Sequence, residues 1–382
     1  MINPERIRRD FPALSGRVYL NTAAEGVPPT QVGQALTAYW HDKLLGMDGR
    51  DAHFAVEARC REAAGSMIGL DASEIAFCSC SAEAYNLLSS ALNLQPGDEV
   101  VINDLDFPSG ATPWLRSAQA KVKLWRSSQG ALRLKELELL LGDRTRLVQV
   151  SLVSFYNGFR LDLTALRRCV GQLAPRAVLS VDVTQALGRC DVAGADADIV
   201  ISSTHKWVLG IHGGCIVGVP SRSAERLTTR AGGWYNLVDP FSDDRFARAS
   251  SKPGAASYAV GMPGFAPIYA LNAGLRYLEA IGIDAIVRHA DPLVARLHAG
   301  LLELGLAPLA PFDASFSSGI VAFRHPASER IYHSLRRENI HVMHHAGRIR
   351  VAVHGYNLAD DVECLLDALR RACTGEASHE AR

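Results

Sequence analysis

The 382-residue sequence lacks any net charge, since its 40 Lys plus Arg are matched by 40 Asp plus Glu. That balance argues against a nucleic acid or an anionic membrane surface as partner, because both are held by an excess of positive charge. No stretch approaches the ~20 apolar residues of a membrane helix. The charged N-terminus, Met1-Ile-Asn-Pro-Glu-Arg-Ile-Arg-Arg-Asp10, contains no apolar signal-peptide core. A cytoplasmic location is therefore expected. The eight cysteines show no Cys-x-x-Cys spacing, which argues against a zinc ribbon or a disulfide scaffold. Cys78 and Cys80, alternate residues on a strand, read as core packing. No Gly-x-Gly-x-x-Gly follows the first strand, which disfavours a nicotinamide-dependent enzyme, and no internal repeat or low-complexity segment is found.

What is present is 48% hydrophobic composition, enough for one large core and a smaller one. Apolar runs predict strands at Glu74–Phe77, Glu99–Asn103, Lys121–Trp125, Leu147–Val153, Val178–Asp182, Ile199–Ser202 and Cys215–Val217. Helices between them, such as Leu132–Leu141 and Leu163–Gln172, make this an α/β chain with a mainly parallel sheet. The Gly/Pro-rich span Pro253–Pro263 marks a change of character. Beyond it, helices at Ala266–Ile281 and Ala290–Leu304 and strands at Gly319–Phe323 and Ile349–Val353 predict a small α+β domain that closes over the site. The expected division is a large domain at 16–262, a small one from 1–15 and 263–372, and a polar, frayed tail at 373–382.

One residue organises the functional reading. The run Ala197-Asp-Ile-Val-Ile-Ser-Ser-Thr-His205 is an apolar strand that turns polar at its C-terminal end, and Lys206 follows it. Open α/β sheets bind ligands at that rim. Desolvation there disfavours the ammonium and exposes a neutral amine for attack on a carbonyl. A lysine snorkelling from a strand end gives the same pattern. The preceding strand, Ala177-Val-Leu-Ser-Val-Asp-Val-Thr-Gln185, carries a single carboxylate near its end, Asp182. A pyridinium nitrogen would balance it, as would an ion pair with Arg176 or Arg189. Phe77-Cys-Ser-Cys-Ser-Ala-Glu-Ala-Tyr-Asn86 passes from strand to helix through small residues, which suits an anion at the helix N-terminus or merely a helix start.

These segments resemble the class V aminotransferase family of pyridoxal 5'-phosphate (PLP) enzymes, which includes cysteine desulfurases, isopenicillin N epimerase-like proteins and carbon-sulfur lyases. The likeness begins with Val18-Tyr-Leu-Asn-Thr-Ala-Ala24 and continues through Ser81-Ala-Glu83, Asp106-Phe-Pro-Ser109 and Ser154-Phe-Tyr-Asn-Gly-Phe-Arg-Leu-Asp162. Asp182-x-x-Gln185, Ser203-x-His-Lys-Trp207, Gly233-Trp-Tyr235 and Arg348-Ile-Arg-Val-Ala-Val-His-Gly-Tyr-Asn357 complete it. The resemblance implies a fold-type I enzyme, a homodimer with shared sites, and PLP bound as a Schiff base to Lys206, which also moves the substrate Cα proton. It further implies that Asp182 pairs with the pyridinium, that Gln185 and Asn157 lie near the phenolic oxygen, and that Phe107 stacks on the ring. Ser81, Ala82, Ser203 and His205 would surround the phosphate. Arg350 would hold the substrate α-carboxylate, with Asn21 and Ala23 close to the substrate and Tyr235 or His345 as a further acid-base group. The adjacent histidines His344 and His345 point to opposite strand faces, which argues against a shared metal.

Departures from the pattern carry information. Ala82 and Ala255 stand where the family commonly has threonine, so phosphate binding would lean on backbone amides, Ser81 and Ser257. His341-Val-Met-His-His-Ala-Gly-Arg348 contains no cysteine, and persulfide transfer needs a thiolate there. Desulfurase activity is therefore disfavoured. The expectation is an enzyme acting at Cα of an amino acid, by carbon-sulfur β-elimination or transamination of a cysteine-derived substrate. Epimerisation would need acid-base groups on both faces, and an Arg350 salt bridge counts against decarboxylation. A sensor that keeps only the fold would be expected to lose Lys206 or Asp182, and both are present.

Overall fold

In the computed structural model, residues 2–116, 119–194 and 196–374 are described. In chain order they form α1 (Pro4–Asp10), β1 (Val18–Tyr19), α2 (Thr30–Leu44), α3 (Arg50–Ile68), β2 (Ile75–Cys78), α4 (Ser81–Leu92), β3 (Glu99–Asn103), α5 (Pro108–Arg116), β4 (Lys121–Trp125), α6 (Leu134–Glu138), β5 (Thr145–Ser151) and α7 (Leu163–Leu173). There follow β6 (Val178–Asp182), β7 (Ile199–Ser203), β8 (Cys215–Gly218), α8 (Phe265–Ile281), α9 (Ile283–Glu303), β9 (Ile320–Arg324), α10 (Ser328–Arg337), β10 (Ile340–His341), β11 (Met343–His345), β12 (Arg348–Ala352) and α11 (Ala359–Thr374).

Seven strands form one sheet in the order β2-β8-β7-β6-β5-β3-β4. Only β8 runs antiparallel, against both β2 and β7; the remaining pairs are parallel. The central strands β6, β7 and β8 are buried along their whole length, which is why they read as unbroken apolar runs rather than alternating ones. The C-terminal rim shared by the parallel strands β6 and β7 is where polar residues begin. A second, three-stranded sheet, β11-β12-β9, is antiparallel and packs in a separate apolar core with α9, α10 and α11. The expected two-domain division does not follow these cores throughout: Ile7, Phe11 and α8, assigned with 1–15 and 263–372 to the small domain, pack into the larger core.

Two expectations need correction. The helix expected over Leu132–Leu141 shrinks to Leu134–Glu138, because only Leu137 docks as a buried residue while Leu139 stays exposed. The second long helix starts at Ile283 rather than Ala290, and it continues through Pro292. Of the expected frayed tail, Cys373 is half-buried within α11; residues 375–382 lie outside the described residues.

The N-terminal segment stitches both sheets to the rim. Tyr19 pairs with His341 in the β1–β10 ladder, the Leu20 carbonyl accepts from the Ala352 N–H at 2.8 Å, and the Gly26 N–H donates to the His205 carbonyl at 2.9 Å. A Cβ on Gly26 would stand 2.0 Å from the Lys206 carbonyl oxygen, so no side chain fits without moving the lysine loop. Gly26→Ala is expected to cost about 1–3 kcal/mol in urea unfolding and to displace Lys206, weakening cofactor uptake.

Candidate active site

The C-terminal ends of β2, β5, β6 and β7 open into a cavity of about 190 Å³. Among the residues singled out from sequence, Ser81, Ala82, Phe107, Asp182, Gln185, Ser203, His205 and Lys206 all line it. Their convergence follows from topology, because parallel strands joined by crossover helices place their C-terminal ends on one edge.

Asp182 ends β6 and is 7% exposed. Tyr85 Oη donates to its Oδ2 at 2.6 Å, and the Thr184 N–H donates to Oδ1 at 2.7 Å. Both donors are neutral. The arginines considered as partners are engaged elsewhere: Arg189 pairs with Asp291 at 2.6 Å and Arg176 donates to the Asp143 carbonyl. Among the described residues no ion pair compensates Asp182, so a cation supplied from the cavity side would relieve a buried charge.

Lys206 is half-buried at the rim. Burial first, and the charge of Arg350 second, push its ammonium down to about 8 against the opposing pull of Asp182. Its Nζ lies 5.4 Å from the centroid of Phe107, whose ring stands edge-on to Phe155 at 5.1 Å. The position is fixed by the next residue. Trp207 is fully buried, its indole N–H donates to Gln185 Oε1 at 2.6 Å, and its carbonyl meets His354 Nε2 at 2.9 Å. Gln185 Nε2 in turn donates to the Ala23 carbonyl at 3.0 Å, leaving the other amide hydrogen for a ligand.

The opposite end of the cavity suits an anion. Cys80 caps α4 without a side-chain hydrogen bond, so the N–H groups of the first turn beside Ser81 and Ala82 remain available. Ser203 and His205 complete this end. Burial, Lys206 and His212 hold His205 down to about 4, so near neutral pH it acts as a neutral N–H donor.

Several expected residues are placed otherwise. Asn157 does not line the cavity: its amide donates to the Gly130 carbonyl at 2.7 Å and its oxygen accepts from the Phe159 N–H, so it braces its own turn. Phe155 takes the cavity wall instead. The Ser257 hydroxyl is spent on the Thr229 N–H and the Gly254 carbonyl. Tyr235 stacks on Phe54 at 6.4 Å and lies against Lys252, away from the Lys206 cavity of its own chain. His345 is exposed on the edge strand β11, while His344 turns to Ser328 and Tyr332. Ala23 reaches the site through its carbonyl, and the side-chain oxygen of Asn21 is buried without a partner. Arg350 is 3% exposed and donates to the Phe155 carbonyl at 2.8 Å. Its Nε has no partner.

Two residues near Asp182 had been given no role. Tyr85 sits on the buried face of α4, where its hydrophobic neighbours disguise it as core. Asp106 sits in the turn after β3, where its sequence reads as an ordinary solvated carboxylate, yet it is buried. Burial, reinforced by the Asp182 charge, pushes Asp106 up to about 7; Ser151 Oγ and Gln149 Nε2 contact it. Folded protein thus keeps a proton that the unfolded chain releases near 4, so the contribution of Asp106 to the stability of cofactor-free protein falls as pH rises from about 4 through about 7, opposite in sign to that of the buried histidines His205 and His354. In Asp106→Asn that falling contribution is absent, so urea midpoints of the variant relative to native protein should rise across this range.

Comparison with known proteins agrees with this geometry. Residues 18–365 match the family model described as aminotransferase class-V. The uncharacterized aminotransferase YcbU of Bacillus subtilis is 27% identical, covering 96% of this chain and 97% of its own. A probable cysteine desulfurase of Methanothermobacter thermautotrophicus is 25% identical over 96% and 97%. Among solved structures, the apo cysteine desulfurase of Thermococcus onnurineus superposes with a TM-score of 0.87 at 24% identity, covering 98% of this chain and 99% of that one. The cystine C-S lyase C-DES, in complex with cysteine persulfide, gives 0.84 at 20%, covering 94% and 99%. The chain belongs to the class V aminotransferase family and is a pyridoxal 5'-phosphate-dependent enzyme of fold type I.

Proposed function

We propose that the enzyme acts at Cα of an amino acid, cleaving a carbon-sulfur bond at Cβ by elimination or transaminating a cysteine-derived substrate. The observation that carries this reading is the pairing of a desolvated amine, Lys206, with a buried carboxylate, Asp182, that lacks a counter-charge. The residues fit PLP. Asp182 would face the ring nitrogen, Phe107 the ring, and Gln185 the phenolic oxygen, with Ser81, the α4 amides, Ser203 and His205 around the phosphate. When bound, PLP supplies an aldehyde that condenses with amines and a ring that takes up the electron pair freed at Cα. Lys206 Nζ, uncharged in a good fraction of molecules near pH 8, accepts the Cα proton and can return it. Asp182 would keep the ring nitrogen protonated, and Tyr85 and Thr184 orient that carboxylate. Arg350 holds the α-carboxylate through the part of its guanidinium left free.

Cysteine desulfurase is the second reading, favoured by the names of several relatives. It requires a thiol near the substrate. Of the cysteines, Cys80 alone lines the cavity, and it stands at the α4 terminus among the phosphate donors rather than beside Arg350. We further propose a cytoplasmic homodimer. Supporting the dimer are apolar side chains left exposed in the second half of α2 and just beyond it, including Trp40, Leu44 and Met47, and at Phe241 and Phe246. Consistent with the compartment, all eight cysteines are unpaired. Among the described residues no helix is long and apolar enough to cross a membrane.

The holoenzyme's visible absorbance tests the assignment. Lys206→Ala should lose the native cofactor band and at least on the order of a hundredfold in turnover. With S-substituted cysteines, release of thiol and keto acid identifies elimination; lasting conversion of the cofactor to its amine form identifies transamination. Alanine formed from cysteine with a persulfide on Cys80, released as sulfide by an added thiol reductant, and both abolished in Cys80→Ala, would establish the desulfurase reading instead.

A further inference from the structure

The face of the small sheet that carries Arg350 holds more positive charge than one α-carboxylate uses. Arg348 and Arg350 are alternate residues of β12 and project to the same side. The antiparallel register sets Arg348 opposite Arg324 of β9 and His345 of β11, and such cross-strand partners share a face. Arg348 is 2% exposed, yet its Nε and Nη1 have no hydrogen-bond partner. Its guanidinium lies 4.0 Å from the centroid of Tyr156 and 5.9 Å from that of Phe155. Arg324 Nη2 donates to Tyr156 Oη at 2.6 Å. Burial and Arg324 disfavour the charge of Arg348 while the attraction of Tyr156 and a hydrogen bond with it favour it, and burial and Arg348 disfavour the charge of Arg350; among the described residues neither guanidinium is paired with a carboxylate.

A buried guanidinium without a counter-ion is costly unless an anion arrives to pair with it. One α-carboxylate is matched by one guanidinium fork, that of Arg350. Arg348 stands two residues along the strand, about 6.6 Å away, within reach of the far end of a small amino acid held by Arg350.

We propose that Arg348 is a specificity-determining residue that binds a second anionic group, so that the preferred substrate is an amino acid whose side chain ends in a carboxylate, sulfinate or sulfonate. The inference rests on the reading of Arg350 as the α-carboxylate holder. Tyr156 covers Arg348 until the anion displaces its ring, and Arg324 adds charge from the exposed edge.

The test titrates holoenzyme with matched pairs, aspartate against asparagine and cysteate against S-methylcysteine, following the cofactor absorbance. The acidic member should bind at least tenfold more tightly, the size of one charge-assisted contact. Arg348→Gln should abolish that preference while changing affinity for the neutral member less than threefold, whereas Arg350→Gln should weaken both. Arg324→Gln, on the exposed edge, should reduce the preference about threefold. Equal binding of both members by the native enzyme, or a preference that survives Arg348→Gln, overturns the inference alone. Binding of both members unaffected by Arg350→Gln overturns the underlying reading and this inference with it. A second readout needs no turnover. Cofactor-free Arg348→Met should melt no lower than native protein, because it removes an uncompensated charge; a fall of several degrees would mean that a carboxylate, for example from a second copy of the chain, already pairs with Arg348, and would overturn the inference.

Discussion

An unneutralised carboxylate at the end of a buried strand governs the site. Asp182 accepts hydrogen bonds from neutral donors only, Tyr85 and Thr184, and an acidic neighbour, Asp106, yields by staying protonated up to about 7. The protein thereby keeps one negative charge where a cationic ring nitrogen can use it. Lys206, at the adjacent strand end, is held in the complementary state, an amine that burial makes reluctant to carry charge. Each group would be less stable alone than a hydrophobic replacement.

The lysine is aimed by its neighbour. Trp207 is buried completely and linked to Gln185 and His354, and a Cβ on Gly319 would stand 2.3 Å from its ring. One side chain thus joins the large sheet, the Gln185 loop and the small unit. A change in how the two units pack would be felt at Lys206 through one covalent step.

Much of this was readable in the sequence, for a definite reason. Strands buried on both faces are apolar throughout, so a lysine or a lone carboxylate at their ends stands out, as Lys206 and Asp182 did. Where a polar residue serves its own turn the same logic fails: Asn157 braces the segment before Phe159, and nothing in its spacing separates that task from ligand contact. Tyr85 was hidden for the opposite reason, because an aromatic residue on an apolar helix face looks like core until its hydroxyl is seen to reach Asp182. The charge on Arg348 became visible only once the register placed it beside Arg324. Long-range pairing of that kind leaves no local trace.

The stitching of the N-terminal segment bears on how the chain is made. Residues 18–26 emerge early, yet their partners are Ile340, His341, Ala352, Tyr356 and Asn357, with Gly26 bonded to His205. The large sheet can form first, but the segment that closes over the lysine loop has to wait, unpaired, for strands synthesised more than 300 residues later. Contacts of such separation are slow to close. A molecule still lacking its last strands would therefore carry Lys206 with the wall of its site unbuilt, and competence for chemistry would come as the final event of folding.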